Sequence, residues 1–83
     1  MPHVCIKLYP GRTLEQKRTL VDRIVQAMAD TIDAKDINIS VSFEEVEPAD
    51  WDEAVVKPDI AEKLDSVVKL PGYASKYLGK EGK

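Results

Sequence analysis

Proline at position 2 is the residue whose type and place carry the most chemistry. If Met1 is removed, Pro2 becomes a free amino terminus and offers a secondary amine that no internal residue can supply. A free α-amine titrates at about 7.7–8.0 in model peptides, and a proline amine sits higher. Apolar burial and a neighbouring cation both disfavour the protonated form and lower that value. A base matched to neutral pH suits general acid–base work. The expectation is a proton-transfer enzyme whose base is its own amino terminus. With Met1 attached, the nitrogen is an amide with no usable basicity. A bland reading stands beside this one, since the first residue of a strand is one of the few places where a sheet tolerates proline.

Other chemistry-bearing residues read more quietly. His3 adjoins the proposed base but falls on the opposite strand face, as an exposed or interface histidine. Cys5 lacks the partners of a nucleophilic triad. It is the only cysteine, so there is no internal disulfide framework, and it cannot build a zinc site alone. Glu44, Glu45, Glu47, Asp50, Asp52 and Glu53 invite a metal, yet carboxylates gathered at a strand end are usually solvated; no metal is expected. The net charge is −3 with both signs interspersed. That leaves no basic footprint for nucleic acid and no polybasic membrane face. No apolar run is long enough to span a membrane. These features suit a soluble protein of the reducing cytoplasm.

The elements that must position Pro2 follow from periodicity. Residues 2–9 alternate, with Val4, Ile6 and Leu8 sharing a face with Pro2, which predicts a half-buried strand. Pro10-Gly11 punctuates it. Thr13 and Gln16 have capping-box spacing. Leu20, Val21, Ile24, Val25, Met28 and Ile32 predict an amphipathic helix over 14–32. Asp33 to Asp36 reads as a polar turn. Ile37, Ile39, Val41 and Phe43 alternate with polar residues as a second strand, ended by Pro48. Trp51 lies in a turn or brief helix. Ile60, Ala61, Leu64, Val67 and Val68 predict a second helix, with Pro58 near its start and Pro71-Gly72 stopping it.

The order is β-α-β-α, an α+β two-layer sandwich with a parallel two-stranded sheet and a right-handed crossover. One domain over residues 1–78 is expected, with a flexible tail over 79–83. A two-stranded sheet is marginal on its own, so the sheet should be extended by a partner. A homodimer is the minimum; a higher homo-oligomer is disfavoured by the polar sheet face of His3, Cys5, Lys7, Asn38, Ser40, Ser42 and Glu44.

Several stretches together resemble a known family. They are the opening Met-Pro-His-Val-Cys-Ile-Lys-Leu, the turn Gly11-Arg12-Thr13, the helix start Glu15-Gln16-Lys17 and the strand from Ile39 to Val46. In combination they look like the 4-oxalocrotonate tautomerase family. Pro48, Trp51 and Lys69-Leu70-Pro71-Gly72-Tyr73 are similar to its short dimeric branch, whose members tautomerise phenylpyruvate. The resemblance spans residues 2–73. It implies a β-α-β protomer, keto–enol isomerisation of a 2-oxo acid, no cofactor and an amino-terminal proline as base, at Pro2. It implies that Arg12 holds a substrate carboxylate, for which a planar guanidinium is suited, and that Trp51 walls the pocket. Where hexameric members carry a second arginine, this chain has Ser40, which can hydrogen-bond substrate but cannot neutralise a second carboxylate. A monoacid with an apolar end is therefore favoured.

Strand length adds a geometric expectation. A strand over 2–9 spans roughly 20–25 Å, so Arg12 stands at the far end from Pro2, and Trp51 after the parallel second strand does too. Each site should combine Pro2 of one protomer with Arg12 and Trp51 of another. Other readings are a related reaction on the same scaffold (dehalogenation, hydration or decarboxylation), iminium chemistry as a side activity, or a non-enzymatic dimeric binding module.

Overall fold

The structure is a computed structural model, and residues 1–74 are described. The expected tail over 79–83 lies outside them. The chain divides into two compact units, Met1–Glu45 and a second that begins at Val46.

The first unit is a β-α-β motif. Strand β1 (His3–Leu8) leads through Pro10-Gly11 into helix α1 (Leu14–Ile32), and the chain returns as strand β2 (Ser40–Glu45). The strands pair in parallel, with His3 opposite Ser40, Ile6 opposite Phe43 and Leu8 opposite Glu45. Gly11 takes φ 125°, a left-handed conformation that side-chain-bearing residues avoid, and so lets the chain leave β1 toward the helix.

Helix α1 starts where its capping box predicts. The Thr13 hydroxyl accepts from the Gln16 N–H at 3.0 Å, and the Gln16 side chain accepts from the Thr13 N–H at 2.8 Å. Two otherwise orphaned donors are thereby satisfied. The helix ends at Asp33, whose left-handed backbone lets its N–H bond the carbonyl of Met28. Val21, Ile24, Val25 and Met28 are half-buried, while Leu20 and Ile32, assigned to the same apolar stripe, are 41% and 61% exposed.

Two polar contacts tie α1 to β2. Lys17 donates to Glu45 at 2.7 Å, and its ammonium lies 5.6 Å from the centre of the Phe43 ring. No residue of Met1–Glu45 is fully buried; among the described residues the buried apolar ones, Val46, Val55, Val56 and Ala74, all belong to the second unit.

The second strand begins later than its alternation suggests. Asp36–Asn38 is a 3₁₀ turn, and Ile37 is 88% exposed. The Asn38 and Ile39 N–H groups bond back to Lys35 and Asp36, closing this turn before pairing starts at Ser40.

The second unit departs further from expectation. Instead of one amphipathic helix beginning near Pro58, a 3₁₀ turn over Pro48–Asp50 leads into a π-helical segment, Asp52–Ile60. Tighter 3₁₀ turns follow over Ala61–Ser66, kinked at Lys63 (φ −131°, ψ 33°). Pro58 lies inside the helical run rather than at its start. Proline donates no hydrogen bond, and in a regular α-helix its ring meets the carbonyl four residues earlier; the wider π turns relieve that clash. The apolar stripe also fails as a core marker: the buried pair is Val55 and Val56, while Leu64 is 48% exposed and Val68 fully exposed.

Candidate active site

Pro2 stands immediately before β1 and is half-buried, whereas Met1 before it is fully exposed. The Pro2 carbonyl accepts the N–H of Ser40 at 3.2 Å, so the sheet ladder pins the residue at the start of the strand. A missing N–H costs nothing there, because the first strand residue needs none.

A cleft of about 520 Å³ opens beside Pro2. Its wall is contributed by Met1 and Pro2, by Ile32 and Asp33 at the end of α1, and by Ala34, Lys35 and Asn38 of the return to β2. The crossover explains this grouping. Helix α1 runs back along β1 for about 28 Å at 1.5 Å per residue, so its carboxyl end arrives where the first strand begins.

Arg12 lies at the other end of the unit. It follows Leu8 and precedes the first turn of α1, and it is exposed. The same helix that brings Asp33 to Pro2 thus keeps Arg12 away from it within a protomer. Ser40 sits opposite His3 in the ladder, and its hydroxyl hydrogen-bonds His3 Nδ1 at 2.7 Å. Its side chain is therefore on the sheet face of His3, the face opposite Val4 and Ile6, and already engaged.

Trp51 belongs to the second unit, where it joins the 3₁₀ turn to the π-helical segment. Its indole Nε1 donates to the Tyr73 hydroxyl at 3.0 Å. Tyr73 carries no role in the sequence reading although it ends the Lys69–Tyr73 stretch; a bulky aromatic directly after a Pro-Gly turn was the available signal. Lys35 and Asn38 carry no role in the sequence reading either, being parts of a polar turn and a strand. Their place beside Pro2 follows from the crossover, which must set down the residues after α1 next to the start of β1.

Among the described residues, no three His, Cys, Asp or Glu side chains gather as metal ligands. Cys5 is an exposed thiol on the outer face of β1. The cleft sets Pro2 beside a cationic side chain, Lys35, and a carboxylate, Asp33.

Comparison with known proteins agrees with this arrangement. Residues 2–56 of the 83 match the Tautomerase family, described as tautomerase enzymes, and the match begins at Pro2. Among curated proteins, the chain is similar to Tautomerase PptA of Enterobacter sp. (strain 638), at 40% identity over 76 residues covering 89% of this chain and 99% of that one. It is similar to Tautomerase PptA of Cronobacter sakazakii, at 32% identity covering 88% of this chain and 97% of the relative. Among solved structures, YwhB, a homologue of 4-oxalocrotonate tautomerase, is 41% identical with a TM-score of 0.53, covering 55% of this chain and 75% of its own. A 4-oxalocrotonate tautomerase isozyme from Methylibium petroleiphilum gives 37% identity and a TM-score of 0.52, covering 55% of this chain and 74% of its own. The parallel β-α-β unit is the fold of these proteins, and a family match from Pro2 to Val56, with tautomerases aligned along nearly their whole length, makes this chain a member of the tautomerase family of isomerases.

Proposed function

We propose that the protein is a cofactor-independent tautomerase that interconverts the enol and keto forms of a 2-oxo monoacid resembling phenylpyruvate. The observation that carries the reading is the position of Pro2: half-buried, held by the Ser40 N–H and opening onto a cleft of about 520 Å³. Met1 is 98% exposed, which leaves its peptide bond open to removal.

The mechanism is a proton shuttle. The neutral Pro2 amine takes the proton of the enol hydroxyl, and electron density moves from oxygen toward C3 as the carbonyl forms. The protonated amine then delivers a proton to C3, which regenerates the base. Arg12 of a second protomer binds the substrate carboxylate through both oxygens, and that protomer's Trp51 walls the apolar end. Ser40 enters as a neutral group and supplies no second cation, which favours monoacids over dicarboxylates. The working form is a homodimer in the cytoplasm. The absence of any fully buried residue in Met1–Glu45 supports assembly, because a two-stranded sheet under one helix leaves its apolar face half-covered.

The test combines intact mass with ultraviolet assays on a panel of enol acids. The reading expects active protein to lack Met1. It also expects enol ketonisation to be about 10²–10⁴-fold slower in protein that keeps Met1, whose Pro2 nitrogen is an amide, the range for losing a positioned acid–base group. Full activity in protein that retains Met1 would refute it.

A further inference from the structure

We infer that Lys35 is a second substrate-binding cation of the Pro2 cleft, supplied by the same protomer as the amine. This rests on the proton-carrier reading of Pro2 and deepens it by naming the group that makes the cleft accept an anion.

The charges around the cleft set the problem. Helix α1 ends at the cleft, and its unsatisfied carbonyls amount to roughly half a negative charge. No basic residue occupies the last turn of the helix to offset them. Asp33 adds a full carboxylate to the same wall. Both would hold the Pro2 amine in its protonated form and repel a substrate carboxylate or an enolate oxygen. A proton-accepting amine and an anionic substrate both need the opposite field.

Among the described residues, Lys35 is the one cationic side chain lining the cleft. Among the described residues, its ammonium takes part in no ion pair or side-chain hydrogen bond. It is exposed, on a flexible stem, and separated from Asp33 only by Ala34. The alternatives are placed elsewhere: Arg12 stands beyond the far end of β1, and the Ser40 hydroxyl is engaged by His3. Lys35 therefore counters the helix end and Asp33. Its ammonium meets a carboxylate oxygen of a substrate whose hydroxyl lies at Pro2. Arg12 of a second protomer approaches the same carboxylate from the other side, so Lys35 and Arg12 share one anionic group.

The test uses the mature enzyme, with loss of Met1 verified by mass, on the enol form of phenylpyruvate and on its methyl ester. Lys35→Ala should lower kcat/KM on the acid by about 10–100-fold, as expected for losing a charge-assisted contact, with a much smaller effect on the ester. Lys35→Arg should restore most of the loss. The backbone at Lys35 is extended (φ −93°, ψ 138°), so alanine fits without strain. Lys35→Ala activity within about twofold of the parent on the acid overturns the inference, as does an equal loss on acid and ester, since no charge-specific contact is then present. Enzyme that retains Met1, with its Pro2 nitrogen held as an amide, run alongside separates the two ideas. If it is inactive while Lys35→Ala is normal, only the Lys35 assignment fails; if it is fully active, the proton-carrier reading fails and the Lys35 inference falls with it.

Discussion

Two inactive variants should restore each other. In Met1–Glu45, Pro2 and Arg12 lie at opposite ends of β1 and of α1. Six residue steps from Pro2 to Leu8 rise about 20 Å, and the helix that follows spans about 28 Å. An extended arginine side chain reaches only about 7 Å from bond lengths near 1.5 Å. One protomer therefore cannot bring both groups to one substrate. If each site takes Pro2 from one chain and Arg12 from its partner, a heterodimer of Pro2→Ala and Arg12→Ala chains has one intact site and one doubly damaged site. Random exchange in an equimolar mixture of symmetric dimers makes half the dimers mixed. One intact site in two then gives about a quarter of parental activity. The assay is enol ketonisation followed by ultraviolet absorbance before and after subunit exchange, with exchange confirmed by native mass spectrometry on chains of different mass. A site built within one protomer predicts no recovery, because every mixed dimer then carries one lesion in each site. Confirmed exchange without recovery refutes the shared site.

Further outcomes follow from the contacts. Thr13→Ala removes the hydroxyl that caps α1 and should cost about 1 kcal/mol, a fall in Tm of about 4–8 °C for a domain of this size, measurable by thermal denaturation. Gly11→Ala places a side chain at φ 125° and should destabilise by about 1 kcal/mol or more while raising KM through misplaced Arg12; unchanged Tm and KM would contradict the assigned role of the turn. Lys17→Ala loses the Glu45 pair and the Phe43 ring contact, and should cost about 1 kcal/mol at low salt and less at high salt in urea titrations. Tyr73→Phe removes the acceptor of the Trp51 indole and should lower stability by about 0.5–1.5 kcal/mol, with a rise in KM for an aromatic substrate if Trp51 walls the pocket.

The β-α-β unit was legible because its signals agree. Thr13 and Gln16 start a helix in the same place as the apolar stripe, and Gly11 supplies the backbone freedom the turn requires. The parallel pairing then follows from the crossover alone. The misreadings come from places where a local hydrogen bond competes with periodicity. Ile37 continues the alternation of β2, yet the 3₁₀ turn from Asp36 to Asn38 claims it. The Ile60–Val68 stripe has helical spacing, yet Pro58 within the run and the kink at Lys63 divert the chain from α-helical geometry, so Val68 faces outward. Val55 and Val56 are adjacent and so show no stripe, although both are buried.

The candidate site was legible in part. The chemistry of Pro2 is a property of one residue and its position, and needs no fold to be noticed. The environment of Pro2 is a property of topology. Lys35, Asp33 and Asn38 are more than thirty residues from it in sequence and meet it only because α1 returns the chain to the start of β1. Ser40 shows the converse: the sequence offers a hydroxyl, and strand pairing engages it with His3.

Catalysis as proposed requires that the Pro2 nitrogen, freed of Met1, carry the proton. This is tested most directly by titrating ¹⁵N-labelled Pro2 by NMR and following kcat/KM on an enol acid over the same pH range. One secondary-amine resonance is expected, with a titration that coincides with the acid limb of the rate profile, activity rising as the amine becomes neutral. An amide resonance in active enzyme, or turnover that persists at full rate while the amine is wholly protonated, would contradict it.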